Sequence, residues 1–270
     1  MTEEERLNRM FSLITQLKWL SAERYRDGTV GLLKECSTVE EFEAVEHVLK
    51  DLKYCNSSDL DAAAASAAKQ IQNGWGLTPE NTILVGLAEP DKTCGSTAYL
   101  RAIENKLPRT WGNSLHVTFN AAFRHRNNKQ NLVLVDDFIG TGDKLNKRIE
   151  RLINNPKTAS YEIHIAAFAG MIDGIATLLP STKNRATAEI LLDKSISNNA
   201  PAGNIDRLTR NMQSLETKIF CHPGKYNFGY GQSEAAFFVE AANIPNNNFP
   251  ILWWEKYADD TERPTLFTRR

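Results

Sequence analysis

Apolar residues in the first part of the chain recur at helical spacing. The clearest series is Leu7, Met10, Phe11, Ile14, Leu17 and Leu20. A stripe of this kind is typical of an amphipathic helix. Ser37 or Thr38 is placed to cap one further helix, and Asn56 precedes an alanine-rich run that Gly74 is placed to end. We therefore predict a helical N-terminal subdomain over residues 1–75.

From residue 82 the pattern changes to short apolar or β-branched runs, which favour strands. These runs are TILVGL, LHVTF, NLVLVDD, YEIHIAAF and AEILLD. Stretches with helical spacing separate most of them: STAYLRAIENK, KLNKRIERLI and MIDGIATLL. Strands that alternate with helices indicate an α/β domain with a mostly parallel sheet flanked by helices. The sequence therefore predicts one such domain over residues 76–270, with the helical N-terminal part as an extension.

Composition and charge exclude several classes of protein. The chain has 270 residues, 41% of them hydrophobic, and a formal net charge of −1, so no bulk attraction to nucleic acid or to an anionic membrane is expected. Its apolar runs are too short to span a bilayer, and its acidic N-terminus lacks a signal-peptide core. Four scattered cysteines favour reduced thiols over a disulfide framework. We expect a cytoplasmic protein without membrane contact.

The stretch VLVDDFIGTGDK, residues 133–144, combines features that point to a ligand. An apolar strand leads into Asp136 and Asp137. Gly140 and Gly142 lie between this acid pair and the helix that follows. Glycine-rich backbone at a helix start favours an anion, whereas two carboxylates favour a diol or a divalent metal. A ribose 5-phosphate meets both demands. No stretch matches a P-loop, and GTGDKL lacks the third glycine of the dinucleotide fingerprint. The alternative is an ordinary strand-to-helix turn with surface aspartates.

This stretch resembles the phosphoribosyl pyrophosphate (PRPP) loop of type I phosphoribosyltransferases. The resemblance implies that Asp136 and Asp137 contact the ribose hydroxyls as the catalytic acid pair. It also implies that the following loop wraps the 5-phosphate. The loop residues concerned are Ile139, Gly140, Thr141, Gly142 and Lys144. The likeness departs after Gly142, where Asp143 and Lys144 stand in place of a small residue and threonine.

Two further segments are expected to bind pyrophosphate. The loop after the strand TILVGL carries Lys92, and Gly95 with Ser96 opens the next helix with free backbone donors. Basic residues also lie just before the acidic strand, at Arg124, Arg126 and Lys129. They match the mobile basic loop of the family in position. The alternatives are a plain surface loop and a solvated hairpin tip.

The C-terminal stretch GYGQSEAAFFVEAANIPNNNFPILWW, residues 229–254, resembles the tail of a branch called PRTase-CE. Proteins of this branch are predicted effectors in bacterial conflict systems. The resemblance implies a role in anti-phage defence, as a toxic effector restrained by a partner. We assign Asn246, Asn247 and Trp253 to the acceptor side of the site, within a hood-like C-terminal segment.

The implied reaction displaces pyrophosphate from C1 of PRPP by a nitrogen nucleophile. Mg²⁺ is expected to arrive bound to the substrate, and we propose no metal site made by the protein itself. The acceptor stays open between a base, a nucleotide, a nucleic acid and a protein side chain. One alternative is a module that binds PRPP or a nucleotide without turnover, as a sensor or scaffold. Another is an interaction protein that binds a protein partner through its N-terminal helices.

Overall fold

The computed structural model describes residues 1–87, 95–124, 129–220, 224–240 and 242–269. Its α-helices are Glu3–Gln16 (α1), Arg26–Glu35 (α2), Val39–Asp51 (α3), Ser57–Lys69 (α4), Gly95–Glu104 (α5), Phe119–Arg124 (α6), Asp143–Ile153 (α7), Ile172–Thr182 (α8) and Ile205–Phe220 (α9). Its strands are Lys53–Cys55 (β1), Thr82–Gly86 (β2), Leu115–His116 (β3), Asn131–Ile139 (β4), Glu162–Met171 (β5), Ala186–Leu192 (β6) and Phe237–Val239 (β7). In the part of the chain that the model describes, no helix is both long and apolar enough to cross a bilayer.

The chain divides into two compact units. Unit 1 contains Met1–Tyr54 and Asp193–Arg270, and unit 2 contains Cys55–Leu192. This division differs from the predicted boundary at residue 75. The first three helices do not close a core of their own, because their apolar faces pack against α9 and the C-terminal segment. The alanine-rich helix α4 instead belongs to unit 2.

Unit 2 is built on a five-stranded parallel sheet in the order β3-β2-β4-β5-β6. The predicted α/β fold class is therefore confirmed. Residues 131–135 of β4 are all buried, as expected for a central strand covered on both faces. Leu132 and Leu134 pack in a core cluster with residues of α7 and α8. Tyr99 of α5 packs against Phe168 of β5, with ring centroids 5.5 Å apart, and so contributes to a second buried layer.

Strand β3 is shorter than the predicted run LHVTF. It contains only Leu115 and His116. The difference has a local cause, because the Thr118 hydroxyl accepts a hydrogen bond from the Ala121 N–H and the Thr118 carbonyl accepts one from Ala122. These bonds start helix α6 at Phe119, so the last residue of the run becomes helical.

Helix caps follow the sequence signals closely. The Asn56 side chain accepts from the N–H groups of Ser58 and Asp59, and Asp59 accepts from the Asn56 N–H, which completes a capping box for α4. Thr38 caps α3 by accepting from the Glu41 N–H. The Glu41 carboxylate accepts from Ser37 N–H rather than from the cap residue itself.

Unit 1 is held together by contacts between its two chain segments. Glu35 of α2 forms a buried bidentate ion pair with Arg263, at 2.7 Å from both Nε and Nη2. Arg263 also donates to the carbonyls of Trp254 and Ile251. A Cβ at Gly28 would lie 2.2 Å from the Thr265 carbonyl oxygen, so helix α2 and the C-terminal segment are in direct backbone contact.

Glu216 of α9 is a buried acid inside unit 1. One carboxyl oxygen accepts from the Phe228 N–H at 3.0 Å, and the other has no hydrogen-bond partner among the described residues. Burial raises the pKa of Glu216 to about 8, and repulsion from Glu234 acts in the same direction. The folded protein therefore keeps this carboxyl protonated at neutral pH.

The variant Glu216→Gln tests this assignment, since it keeps the acceptor for Phe228 and removes the titration. The folded state holds the Glu216 proton up to about pH 8, whereas the unfolded chain releases it near the ordinary value of 4.5. Wild-type stability should therefore fall as the pH rises through this window. We expect the variant to be more stable than the wild type at pH 8 by roughly 4 kcal/mol.

Chemical denaturation at pH 5 and pH 8 measures the difference. Glu4→Gln, at an exposed position of α1, is the matched control and should follow the wild type. Identical pH dependence of wild type and Glu216→Gln would show that this carboxyl is not protonated in the folded state.

Candidate functional site

The acid pair lies where one neighbour of strand β4 ends. Gly86, the last residue of β2, pairs with Val135, and β4 continues from there to Ile139. On its other side β4 stays paired with β5, with Asp136 opposite Ala167. Asp136 and Asp137 thus lie within β4, whereas the sequence suggested that they stand at the end of this strand. Both residues are half-buried.

The electrostatics of Asp136 favour its protonated form in the free protein. Burial raises the pKa of Asp136 well above its ordinary value, and the Asp137 carboxylate raises it further. The positive charge of Lys144 opposes this shift. Asp136 also accepts a hydrogen bond from the Asp137 N–H at 3.1 Å. A ligand that donates hydrogen bonds or carries positive charge would stabilise the ionised form of Asp136 and offset its repulsion from Asp137.

The Asp137 carboxylate lies against Gly95, the first residue of helix α5. A Cβ built on Gly95 would lie 2.1 Å from Asp137 Oδ2, so only glycine leaves room for this carboxylate. Ser96, the next residue, is fully buried. The structure therefore brings the predicted acid pair and the predicted pyrophosphate residues Gly95 and Ser96 together. An anion at this helix start would lie beside a carboxylate.

The glycine loop after β4 is shaped by helix α8. Gly142 has a φ of +81°, and a Cβ there would lie 2.3 Å from Thr177 Oγ1. A Cβ on Gly174 would lie 1.8 Å from the Gly140 carbonyl oxygen. Two glycines of the loop thus press directly against α8, and no larger residue fits at Gly142 or Gly174. The loop is consequently held in one conformation by backbone contact.

This loop presents backbone donors at the start of α7. Within the described residues, no protein acceptor takes a hydrogen bond from the N–H groups of Gly140, Thr141 or Gly142. Such groups, together with the dipole of an eleven-residue helix, form an arrangement that suits an anion. The Thr141 hydroxyl, however, donates to Asp143 Oδ2 at 2.9 Å. Asp143 and Lys144 are both exposed.

Some predicted residues have other surroundings than expected. Ile139 is the last residue of β4, and its buried side chain packs in the core and does not line the loop. Lys129 is held by the carbonyls of Pro79 and Thr82 and by the Ser114 hydroxyl, so it has a structural role. Arg124 is exposed at the end of α6. The predicted pyrophosphate residues Lys92 and Arg126 lie outside the described residues.

The three predicted acceptor-side residues lie in unit 1. Asn247 Nδ2 donates to the Tyr230 carbonyl and to Ser233 Oγ, both at 3.2 Å. The Asn246 carbonyl accepts from the Tyr230 N–H. Trp253 Nε1 donates to the backbone carbonyl of the buried Asn248 at 3.0 Å. The Asn247 side chain and the Asn246 backbone thus hold the loop at Tyr230. The sequence analysis did not single out Tyr226 and Tyr230.

Across the described ranges, no group of three or more His, Cys, Asp or Glu residues is arranged to hold a metal ion. His164 is buried on β5, packs against Trp75 at 4.9 Å and contacts Asn131 Oδ1 at 3.3 Å. Burial lowers the pKa of His164 to about 4, so it is a neutral core histidine.

Together, the parallel sheet and its flanking helices define an α/β protein with a phosphoribosyltransferase-like fold. The PRTase-CE family model matches residues 3–269, nearly the whole chain. The chain therefore belongs to the PRTase-CE family, as its C-terminal stretch indicated. No curated protein matches the sequence. Among solved structures, the AQ2163 protein from Aquifex aeolicus is similar at 10% identity over 58% of this chain and 78% of that chain, with a TM-score of 0.33.

The variant Gly142→Ala tests how tightly the loop is shaped. Alanine is strained at a φ of +81° and would meet Thr177 Oγ1 and the Gly174 carbonyl. We expect a loss of about 2 kcal/mol in stability, measured by chemical denaturation. Gly112→Ala is the matched control, since nothing lies within 4 Å of its Cβ position. Equal stability of the two variants would contradict the close contact with α8.

Proposed function

We propose that the protein binds PRPP or a nucleotide and transfers or removes a ribose 5-phosphate group. Membership of the PRTase-CE family indicates a phosphoribosyltransferase-like function. The observation that carries the finer proposal is the pairing of two half-buried carboxylates with a glycine loop whose N–H groups have no described protein acceptor. The carboxylates suit the ribose hydroxyls, and the loop suits the 5-phosphate.

The proposed reaction proceeds at C1 of the ribose. The bond from C1 to the pyrophosphate oxygen breaks, and pyrophosphate leaves with the electron pair. A nitrogen nucleophile forms the new bond to C1 and loses its proton. Asp136 and Asp137 stabilise the positive charge that develops on the sugar ring, and the residues near Gly95 and Ser96 hold the leaving group.

Magnesium enters this proposal as part of the substrate. Because Asp137 lies against Gly95, a pyrophosphate at the start of α5 would be repelled unless a cation accompanied it. Mg²⁺ bound to pyrophosphate and ribose oxygens supplies that charge without a protein cage. The basic residues Lys92, Arg124, Arg126 and Lys144 are the candidates to neutralise the remaining phosphate charge.

The second candidate function is a module that binds the same ligand without turnover. The position of Asp143 favours it. The Asp143 carboxylate accepts the hydrogen bond that the Thr141 hydroxyl donates. It also places a negative charge at the loop that should receive the phosphate. Such a protein would act as a sensor or scaffold in a defence complex. If the protein is an active enzyme, we propose that it acts as a toxic effector in anti-phage defence, by resemblance to the PRTase-CE branch.

A protein partner is proposed on helix α1. Leu7 and Phe11 are one turn apart, and their side chains are 40% and 64% exposed. Deleting residues 1–75 would remove the helices that complete unit 1, so the surface variant Leu7→Ser with Phe11→Ser is the sharper probe of partner binding. We place the protein in the cytoplasm, where the buried thiols of Cys36 and Cys55 would stay reduced.

The double variant Asp136→Asn with Asp137→Asn tests the role of the acid pair. Loss of two charged acceptors should weaken Mg²⁺–PRPP binding at least ~10-fold, as measured by calorimetry, and abolish pyrophosphate release. The fold should survive, because amides remove the repulsion that raises the pKa of Asp136. Thermal unfolding at pH 7 should therefore occur at the wild-type temperature or above it.

Asp61→Asn, at an exposed position far from β4 in sequence, is the matched control and should bind as the wild type does. Undiminished binding by the double variant would reject the assigned role. Binding by the wild type without pyrophosphate release, across base, nucleotide, nucleic acid and peptide acceptors, would select the second candidate function.

A further inference from the structure

Unit 1 contains a cluster of four aromatic rings on one loop and its neighbouring segment. We call Tyr226, Tyr230, Trp253 and Trp254 the aromatic cluster. Tyr226 lies at its centre, with ring centroids 5.7 Å from Trp253, 5.5 Å from Trp254 and 6.1 Å from Tyr230. Trp253 is buried, whereas Tyr226, Tyr230 and Trp254 are half-buried.

Two cations lie against these rings. Lys225 Nζ is 5.2 Å from the Tyr226 ring centroid, and Arg269 Cζ is 5.3 Å from that of Trp253. Arg269 also donates to the Ile244 carbonyl, which fixes its position. Neither cation forms an ion pair with a carboxylate among the described residues. The cluster therefore combines aromatic rings with two cations that have no ion-pair partner in the described ranges.

The backbone under the cluster is firmly held. Phe228 and Gly229 both have positive φ, and a Cβ on Gly229 would lie 1.9 Å from the Asn247 carbonyl oxygen. The Phe228 N–H is bound by the buried Glu216 carboxyl. Tyr226 and Tyr230 are thus presented on a loop that is ordered before any ligand arrives, which lowers the entropic cost of binding.

We propose that the aromatic cluster binds a nucleobase that carries a phosphate. The base would stack on the exposed parts of Tyr226, Tyr230 or Trp254, and Lys225 and Arg269 would attract the phosphate. Aromatic rings interleaved with cations are the usual means of binding nucleotides and single strands without strict sequence preference. The net charge of the whole chain, −1, does not predict this surface, because the positive charge of Lys225 and Arg269 is local. Because Trp253 is also assigned to the acceptor side of the proposed reaction, this proposal rests on the proposed function and specifies its acceptor.

Tryptophan fluorescence provides the test, since two of the five tryptophans belong to the cluster. The probes are AMP, UMP and a ten-residue oligothymidylate, with ribose 5-phosphate as the probe that lacks a base. We expect quenching by the base-containing probes and none by ribose 5-phosphate. Tighter binding of the oligonucleotide than of UMP would identify a nucleic acid as the source of the base, and equal binding would identify a free nucleotide.

Variants link the signal to the cluster. Tyr226→Leu should weaken binding about 10-fold, and Lys225→Ala should weaken it and reduce its salt dependence. Lys225 is exposed, so its variant keeps the fold even if Tyr226→Leu does not. Lys256→Ala, also exposed in unit 1, is the matched control. The double variant of Asp136 and Asp137 should bind at the cluster as the wild type does, which separates this proposal from the proposed function.

Two results would overturn the proposal. One is the absence of quenching by every base-containing probe. The other is equal affinity of wild type, Tyr226→Leu and Lys225→Ala for the oligonucleotide.

Discussion

The candidate site depends on the unequal lengths of two neighbouring strands. Strand β2 ends at Gly86, opposite Val135, while β4 continues to Ile139 with β5 as its remaining partner. Pairing with β5 keeps the backbone of the acid pair rigid, while the described part of β2 does not pair with it. A parallel sheet with an uneven carboxyl edge can therefore hold two carboxylates on a rigid strand without burying them completely.

This arrangement is costly for the free protein, and that cost bears on function. Ionising Asp136 next to Asp137 in a half-buried position is unfavourable, and the raised pKa of Asp136 records the penalty. The glycine loop beyond β4 is constrained as well, by its contact with Gly174 of α8. A fold optimised only for stability would need neither feature. Their coincidence at one sheet edge favours a binding role over an ordinary turn.

Much of unit 2 could be predicted from the sequence, because its strands and helices follow strong local patterns. The strand runs at Thr82, Asn131 and Glu162 and the Asn56 cap correspond to elements of the structure. The unit boundary could not be predicted, since it is set by long-range packing of α1–α3 on the C-terminal segment. The contact between Asp137 and Gly95 likewise joins residues that are distant in the chain, as does the hydrogen bond from the Asn247 side chain to the Tyr230 carbonyl. No local pattern encodes such proximity.

The order of the two units along the chain has a consequence for biosynthesis. Residues of unit 2 are contiguous, whereas unit 1 combines the first 54 residues with everything from Asp193 onward. A growing chain can thus finish the parallel sheet on the ribosome before the partners of helices α1, α2 and α3 exist. Until residues 193–270 have emerged from the ribosome, much of the apolar surface of those helices stays uncovered. Chaperones, or self-association between nascent chains, would compete for it during that interval.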